Sequence, residues 1–481
     1  MMYHITDIKK FLKCADLYYY EKNKEQVFKP YMRMDDNIID LLSRYFHFED
    51  VYVGERNDRT ERFFENINNY EYFIHARFED NGMRINIPFM HKVENGFDLC
   101  FIYYGTSVRE IDLITYRICV RMLKKFGINV DQIYIIYLNG DYVSDGTIDV
   151  DQLFICTNRH NGKEIIELTR NGDFVYEDII SAMNRHVPKE AKKCRYCKMF
   201  GLCEHYSTCF PNEEKLEPDS ILTLVSSKNK NKMYEEGRRL LKDADPNLIE
   251  GTQIQYAQIM ASRNNGLYIE KLALKKWLEQ LDKKPISFID FEWDRFLIPK
   301  YEKMKPMDAV CFEYALYYMD KHGKMHHNTF VGTGDCRRQF VEAMIKKIPK
   351  RGPILAYNAQ GAECLRLKEL GEIYPEYKEQ LNKIIDRFVD LATPFIEGLI
   401  YDIRMEGNYS LKKLVDICSD YSYKELPIYD GMEAVYNWRE IEKSSPEEGR
   451  RIIRNLKEYC SLDAYGLFLV YRWLLDLLEK Q

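Results

Sequence analysis

The chain of 481 residues has no uninterrupted apolar run of about 18 residues, the length a membrane-spanning helix needs. The late stretch YGLFLVYRWLLDLL is interrupted by Arg472 and reads as a buried C-terminal helix instead. The opening, MMYHITDIKKFLKC, lacks an apolar signal core. Both absences lead to the expectation of a cytoplasmic protein with no membrane partner. An excess of positive charge is missing as well, since 70 Lys and Arg stand against 76 Asp and Glu for a net −6. No bulk field therefore favours nucleic acid, and any such contact must come from local patches. The basic clusters at 192–198, 228–242 and 346–351 each read, alone, as solvated surface. No internal repeat or low-complexity tract appears, which excludes a repeat architecture.

What is present is an ordinary globular composition, 46% hydrophobic, over a length that suggests two to four domains. Thirteen cysteines in a cytosolic chain do not argue for a disulfide framework. Cys100, Cys119, Cys156, Cys311 and Cys418 are isolated among apolar residues and suit small buried side chains. Only KKCRYCKMFGLCEHYSTCF, with Cys194, Cys197, Cys203 and Cys209, calls for chemistry.

Three regions emerge, and the fold class is α/β multidomain. Residues 1–213 alternate strands and helices and end at the cysteines. MRINIPFM (83–90), FDLCFIYYG (97–105) and QIYIIYLNG (132–140) read as strands, and 109–127 as a helix stopped at Gly127. Residues 214–283 follow the charged linker PNEEKLEPDS and read as a helical connector without a clear strand. Residues 284–481 restart with strands at 285–293, 308–319 and 326–332. A helix, RQFVEAMIKKIP, comes next, then a short buried strand at 352–358. The order predicts a mixed sheet flanked by helices.

The strand PISFIDFEW sets Asp290 and Glu292 two residues apart, so alternation turns both carboxylates to one face. Like charges so placed are costly without a cation between them, and Mg²⁺ or Mn²⁺ prefers such oxygen ligands. The alternative is a strand that simply ends at the surface. Downstream, EYCSLDAYG sets Tyr459 and Asp463 at i and i+4 of a predicted helix, one above the other. Between them GPILAYNAQGAECLRLKEL runs from a strand through a Gly-containing turn to Glu363 at a helix start.

This succession of D-x-E, a middle acid after a strand, and Y-x3-D resembles the DnaQ-like exonucleases, whose fold is RNase H-like, in their DEDDy variant. The resemblance spans roughly 284–480. Where that superfamily usually has Asp, this chain has Glu363. A closer resemblance is to a bacterial family that fuses a RecB-like N-terminal region to a DnaQ-like C-terminal one. There the strand reads like LDFE, the middle acid is Glu, and a G-S-Y-S-hK-K stretch is similar to GNYSLKK at 407–413. The resemblance implies two metal ions, Mg²⁺ or Mn²⁺, held by Asp290, Glu292, Glu363 and Asp463. These would activate a water and stabilise the leaving oxygen of a phosphodiester, with Tyr459 orienting the water. It also implies 3′–5′ polarity. Asp390, in RFVDLATPF, fits a strand end of such domains or a helix N-cap. Ser410 reads as an N-cap, with Lys412 either part of the ordinary helix or a phosphate contact.

At the other end, ITDIKKFLKCADLYYYEKN resembles the first helix of RecB-like nucleases that carry an iron–sulfur cluster, with Ala15 where Pro is usual. That resemblance implies Cys14 joining Cys194, Cys197 and Cys203 on a 4Fe-4S cluster. The alternative is Zn²⁺ on Cys194, Cys197, Cys203 and Cys209. RecB-like nucleases cut with PD-(D/E)xK. Here Asn86, Phe101 and Tyr103 stand at the Asp, Glu and Lys positions, so the N-terminal domain is expected to keep its fold and lack its chemistry. The expected function is a metal-dependent exonuclease on single-stranded DNA or RNA through the C-terminal domain. The alternatives are a non-catalytic nucleic-acid-binding or assembly module with both sites decayed, and a redox sensor using the cluster.

Overall fold

A computed structural model of the chain describes residues 2–22, 38–170, 174–189, 203, 205–211, 217–423 and 426–479. It is an α/β protein of two compact units, one formed by 1–194 with 296–308 and one by 195–295 with 309–481. No helix among the described residues is long and apolar enough to cross a membrane.

The first unit is built on a seven-stranded sheet. Its strands are β1 (Tyr3–His4), β2 (Val51–Val53), β3 (Tyr72–Asp80), β4 (Met83–Val93), β5 (Gly96–Ile102), β6 (Val130–Leu138) and β7 (Phe154–Thr157). The path runs β2-β3-β4-β5-β6-β7, with β1 beside β4. Helix α1 (Ile5–Lys13) follows β1, and α2 (Leu113–Lys125) makes the crossover between parallel β5 and β6. Asp112 caps α2 by accepting from the Thr115 amide, and Gly127, at φ +74°, ends it as expected. The expected strands and helix are all there, with the helix two to four residues shorter at its ends. A small hairpin, β8 (Arg159–His160) and β9 (Lys163–Glu164), follows.

After short helical pieces, the second unit continues with α3 (Gln253–Arg263), β10 (Leu267–Ile269) and α4 (Lys271–Glu279). Its main sheet has five strands, β11 (Ile286–Arg295), β12 (Ala309–Met319), β13 (Met325–Val331), β14 (Ile354–Ala356) and β15 (Phe388–Asp390). The order is β13-β12-β11-β14-β15. The first three strands are antiparallel, and β14 and β15 run parallel to β11, so the sheet is mixed as the element order implied. One face packs on α5 (Arg337–Lys347), α6 (Glu363–Ile373) and α7 (Pro375–Ile385). A short strand β16 (Ile400–Asp402), α8 (Leu411–Cys418), α9 (Gly431–Ile441) and α10 (Pro446–Glu479) complete the unit. Gly352, at φ +88°, lets the entry to β14 approach β11 closely. A Cβ there would lie 1.8 Å from the Pro285 carbonyl oxygen.

The connector differs from expectation. Leu267–Ile269 forms β10, which pairs antiparallel with β16 across more than 130 residues of sequence. Three residues are too few to show a period of two, so the pattern could not reveal them. Of MYEEGRRLLKDAD (233–245) only the first three residues are α-helical, as the end of a helix over Lys230–Glu235. Gly237, at φ +89°, breaks the run before a 3₁₀ turn at Leu241–Asp243.

Candidate active site

The site begins with alternation on β11. Ile289 and Phe291 point into the core beneath α5 and α6. Phe288, Asp290 and Glu292 take the other face, under α10. There Phe288 packs on Phe468 and Tyr471, and the Cys460 thiol lies 3.5 Å from Asp290 Oδ2. Register places Glu292 opposite Glu313 of β12 and Asp290 opposite Ala315. Beyond Glu292 the pairing slips, so that Trp293 faces Cys311 and Phe312 becomes the extra residue of a bulge. The bulge aims Phe312 at α9, where it stacks on Trp438 with ring centroids 4.7 Å apart. Trp438 Nε1 donates to the Gly332 carbonyl at 2.8 Å. Arg439 of the same helix grips buried Asp294 through two bonds of 2.7 Å. These contacts fix α9 beside the acid-bearing end of β11.

Asp290, Glu292 and Asp463 each offer a carboxylate oxygen, and these oxygens lie within 4.8 Å of one another. Asp463 is 6% exposed, and the other two are half-buried. Burial, then the charges of Asp463, Glu292 and Glu363, push Asp290 well above the usual carboxylate range. Burial, followed by the Asp463 charge, carries Glu292 to about 8. Asp463 is raised by burial, which outweighs the opposing pull of Lys412 and of the neighbouring hydroxyls of Tyr423 and Tyr459. None of the three carboxylates has an ion-pair partner among the described residues. Converging oxygens that make no ion pair, with only the more distant charge of Lys412 opposing them, fit a hard divalent cation of the Mg²⁺ or Mn²⁺ kind.

Tyr459 sits beside Asp463, and each perturbs the other's titration, as the i, i+4 spacing implied. Its hydroxyl oxygen also accepts from Lys412 Nζ at 3.2 Å. Lys412 Nζ is 4.9 Å from the ring centroids of both Tyr459 and Tyr423. Ser410 caps α8 as read from the sequence, accepting from the Lys413 amide. Asp390 ends β15 and accepts from the amides of Asn358 and Ala392, both at 2.9 Å. Glu363 occupies the first turn of α6 and is buried, and burial carries its carboxyl to about 8. Asp290 and Glu292 feel its charge, yet it is not one of the three acids within 4.8 Å.

Two residues of the site were not read from the sequence. Tyr423 donates to Asp463 Oδ1 at 2.8 Å, and nothing in its loop sequence marks it. Glu313 is fully buried, and neither of its carboxylate oxygens has a hydrogen-bond partner among the described residues. Burial, then the charge of Glu292, pushes it well above the ordinary range. An acid inside the apolar run AVCFEYAL was the available signal.

In the first unit, Phe101 is buried in the core against Tyr116, with ring centroids 4.6 Å apart. Asn86 is exposed and hydrogen-bonds His75 Nδ1 at 3.2 Å, and Tyr103 lies just past the end of β5. Of the expected cluster ligands, Cys14 ends α1 and Cys203 is half-buried, while Cys194 and Cys197 lie outside the described residues. Cys209 ends a short helix, Tyr206–Cys209.

Compared with known proteins, residues 287–410 match the model of a family described as Domain of unknown function (DUF2779). No curated protein and no solved structure matches the chain.

Proposed function

We propose that the second unit is a metal-dependent phosphodiesterase, a 3′–5′ exonuclease on single-stranded DNA or RNA with an RNase H-like, DnaQ-like fold. The observation that carries this reading is the convergence of Asp290 and Glu292, on the central strand of a mixed sheet, with Asp463 of α10 within 4.8 Å and without an ion-pair partner. These three carboxylates would hold Mg²⁺ or Mn²⁺, with buried Glu363 close enough to add to the local negative charge. Such ions, when bound, supply charge neutralisation for a phosphodiester and its leaving oxygen. The protein's own part is orientation. Tyr423 holds Asp463 in place through its hydroxyl, Tyr459 flanks it, and Lys412 holds Tyr459. Polarity and strand preference come from the resemblance alone.

The first unit, on the same reading, is a RecB-like domain that keeps its fold without its cutting residues. Phe101 and Tyr103 have no carboxylate or amine to offer, and Phe101 is committed to the core. A second reading, a non-catalytic nucleic-acid-binding or assembly module, is favoured by Glu363 standing outside the triad. Full-length wild type and an Asp290→Ala/Asp463→Ala variant, incubated with labelled single strands and Mg²⁺ or Mn²⁺, decide between them. Wild type is expected to shorten the strands and the variant to leave them intact. Tight binding with no shortening by wild type would support the non-catalytic module, and equal cleavage by both proteins would sink the assignment of these acids.

A further inference from the structure

Seven large hydrophobic side chains of the second unit are exposed among the described residues. Tyr256, Leu272, Leu365 and Ile396 are scattered, whereas Tyr421, Tyr429 and Met432 fall within twelve residues. That segment borders the acidic site. Tyr423 donates to Asp463, and Gly431 lies so near Glu292 that a Cβ there would be 3.3 Å from Oε2. Apolar surface concentrated at the rim of a polar site marks a binding surface.

The rings extend into a connected row. Tyr421 is 51% exposed and stands edge-on to Tyr465 at 5.5 Å. Tyr465, two residues past Asp463 on α10, meets Tyr317 at 5.4 Å. Tyr317 stacks on exposed His327 at 4.1 Å with an interplanar angle of 15°. His327 Nε2 is held 3.1 Å from Ser461 Oγ of the same helix. Tyr317 lies two residues along β12 from Ala315, the partner of Asp290, which sets it about 7 Å along the strand from the acids. The row thus begins beside the carboxylates and leads outward to solvent at Tyr421.

We propose that this aromatic shelf is a nucleobase-stacking subsite, which takes the bases of a single-stranded nucleic acid whose phosphodiester lies at the acids. The proposal rests on the phosphodiesterase reading for the position of the phosphodiester. The shelf itself follows from the rings. Every nucleobase has a π-face, so tyrosine faces grip a strand without selecting its sequence. Bases linked through sugar and phosphate to a group at the acids arrive at the distance where Tyr317 begins. The acids repel a polyanion, and stacking supplies attraction that does not depend on positive charge, which fits a chain with a net −6.

Binding is read separately from cleavage, with full-length protein, a fluorescent single-stranded 12-mer and an abasic 12-mer, and Ca²⁺ in place of Mg²⁺ to hold back turnover. Tyr421→Ala is expected to weaken binding of the normal strand about tenfold, within the range for one base on one aromatic ring. Tyr421→Phe keeps the ring and is expected to bind within about twofold of wild type. The abasic strand is expected to bind wild type and Tyr421→Ala alike. Equal binding of the normal strand by wild type and Tyr421→Ala overturns the shelf, as does wild type that fails to prefer the normal strand or binds neither. Loss of binding in Tyr421→Ala, with no cleavage by wild type in Mg²⁺, keeps the shelf and refutes the hydrolase. Cleavage by wild type with no effect of Tyr421 does the reverse.

Discussion

Raising the pH without divalent cations should destabilise the protein, and adding them should reverse the loss. Glu292 is held at about 8 against an ordinary 4.5. A raised carboxyl binds its proton in the folded state at pH values where the unfolded chain has released it. Its stabilising contribution is therefore complete below about 4.5 and disappears as pH rises through about 8. Between pH 6 and pH 8 one such group gives up about 2 kcal/mol, the difference between nearly full and half protonation of the folded form. For a unit of this size that corresponds to a fall in Tm of roughly 3–5 °C. Asp290, Asp463 and Glu363 shift in the same direction and deepen the trend. Mg²⁺ at about 100 times its dissociation constant restores about 3 kcal/mol, and more at pH 8, where the ligands are ionised. Calorimetric melts in EDTA and in MgCl₂ at pH 6, 7 and 8 measure both effects, and Glu292→Gln should flatten them. A Tm in EDTA that stays level or rises from pH 6 to pH 8, or one indifferent to Mg²⁺, would refute the reasoning.

Three further outcomes are expected. Glu313→Leu removes a buried carboxyl with no hydrogen-bond partner, a group that costs about 1–3 kcal/mol, so the apo-protein should melt a few degrees higher, most clearly at pH 8; a lower Tm would show that the carboxyl is needed for packing. Arg439→Ala removes the two charge-assisted bonds to buried Asp294 and should cost about 1–3 kcal/mol by urea titration, whereas no measurable loss would mean water replaces the guanidinium. Anaerobically purified protein should contain iron and show thiolate–iron absorption that disappears in Cys197→Ala; zinc without iron would instead favour the local four-cysteine site.

Asp290, Glu292, Tyr459 and Asp463 were legible because two periodicities, two on a strand and near four on a helix, converted spacing into shared faces. What joined those faces was not legible. Tyr423 reaches Asp463 across forty residues from a loop with no period at all. The slip at Phe312 leaves no mark in VCFEYAL, because an extra residue in an apolar run looks like any other residue in it. Glu363 was placed correctly at a helix start, but its distance from the triad depends on how α6 packs beneath the sheet, a tertiary quantity. β10 escaped notice since its partner, β16, lies far along the chain.

The position of Asp463 also imposes an order in time. It is carried by α10, which docks across β11, β12, α8 and α9, and it follows Asp290 by 173 residues. A growing chain has the Asp-x-Glu strand long before it has the helix that supplies the third acid. Every intermediate length therefore displays two carboxylates and an unfinished site. The three-acid cluster is completed only when that one helix docks, so on the proposed phosphodiesterase reading a nascent chain emerging beside its own messenger RNA lacks the third metal ligand until then.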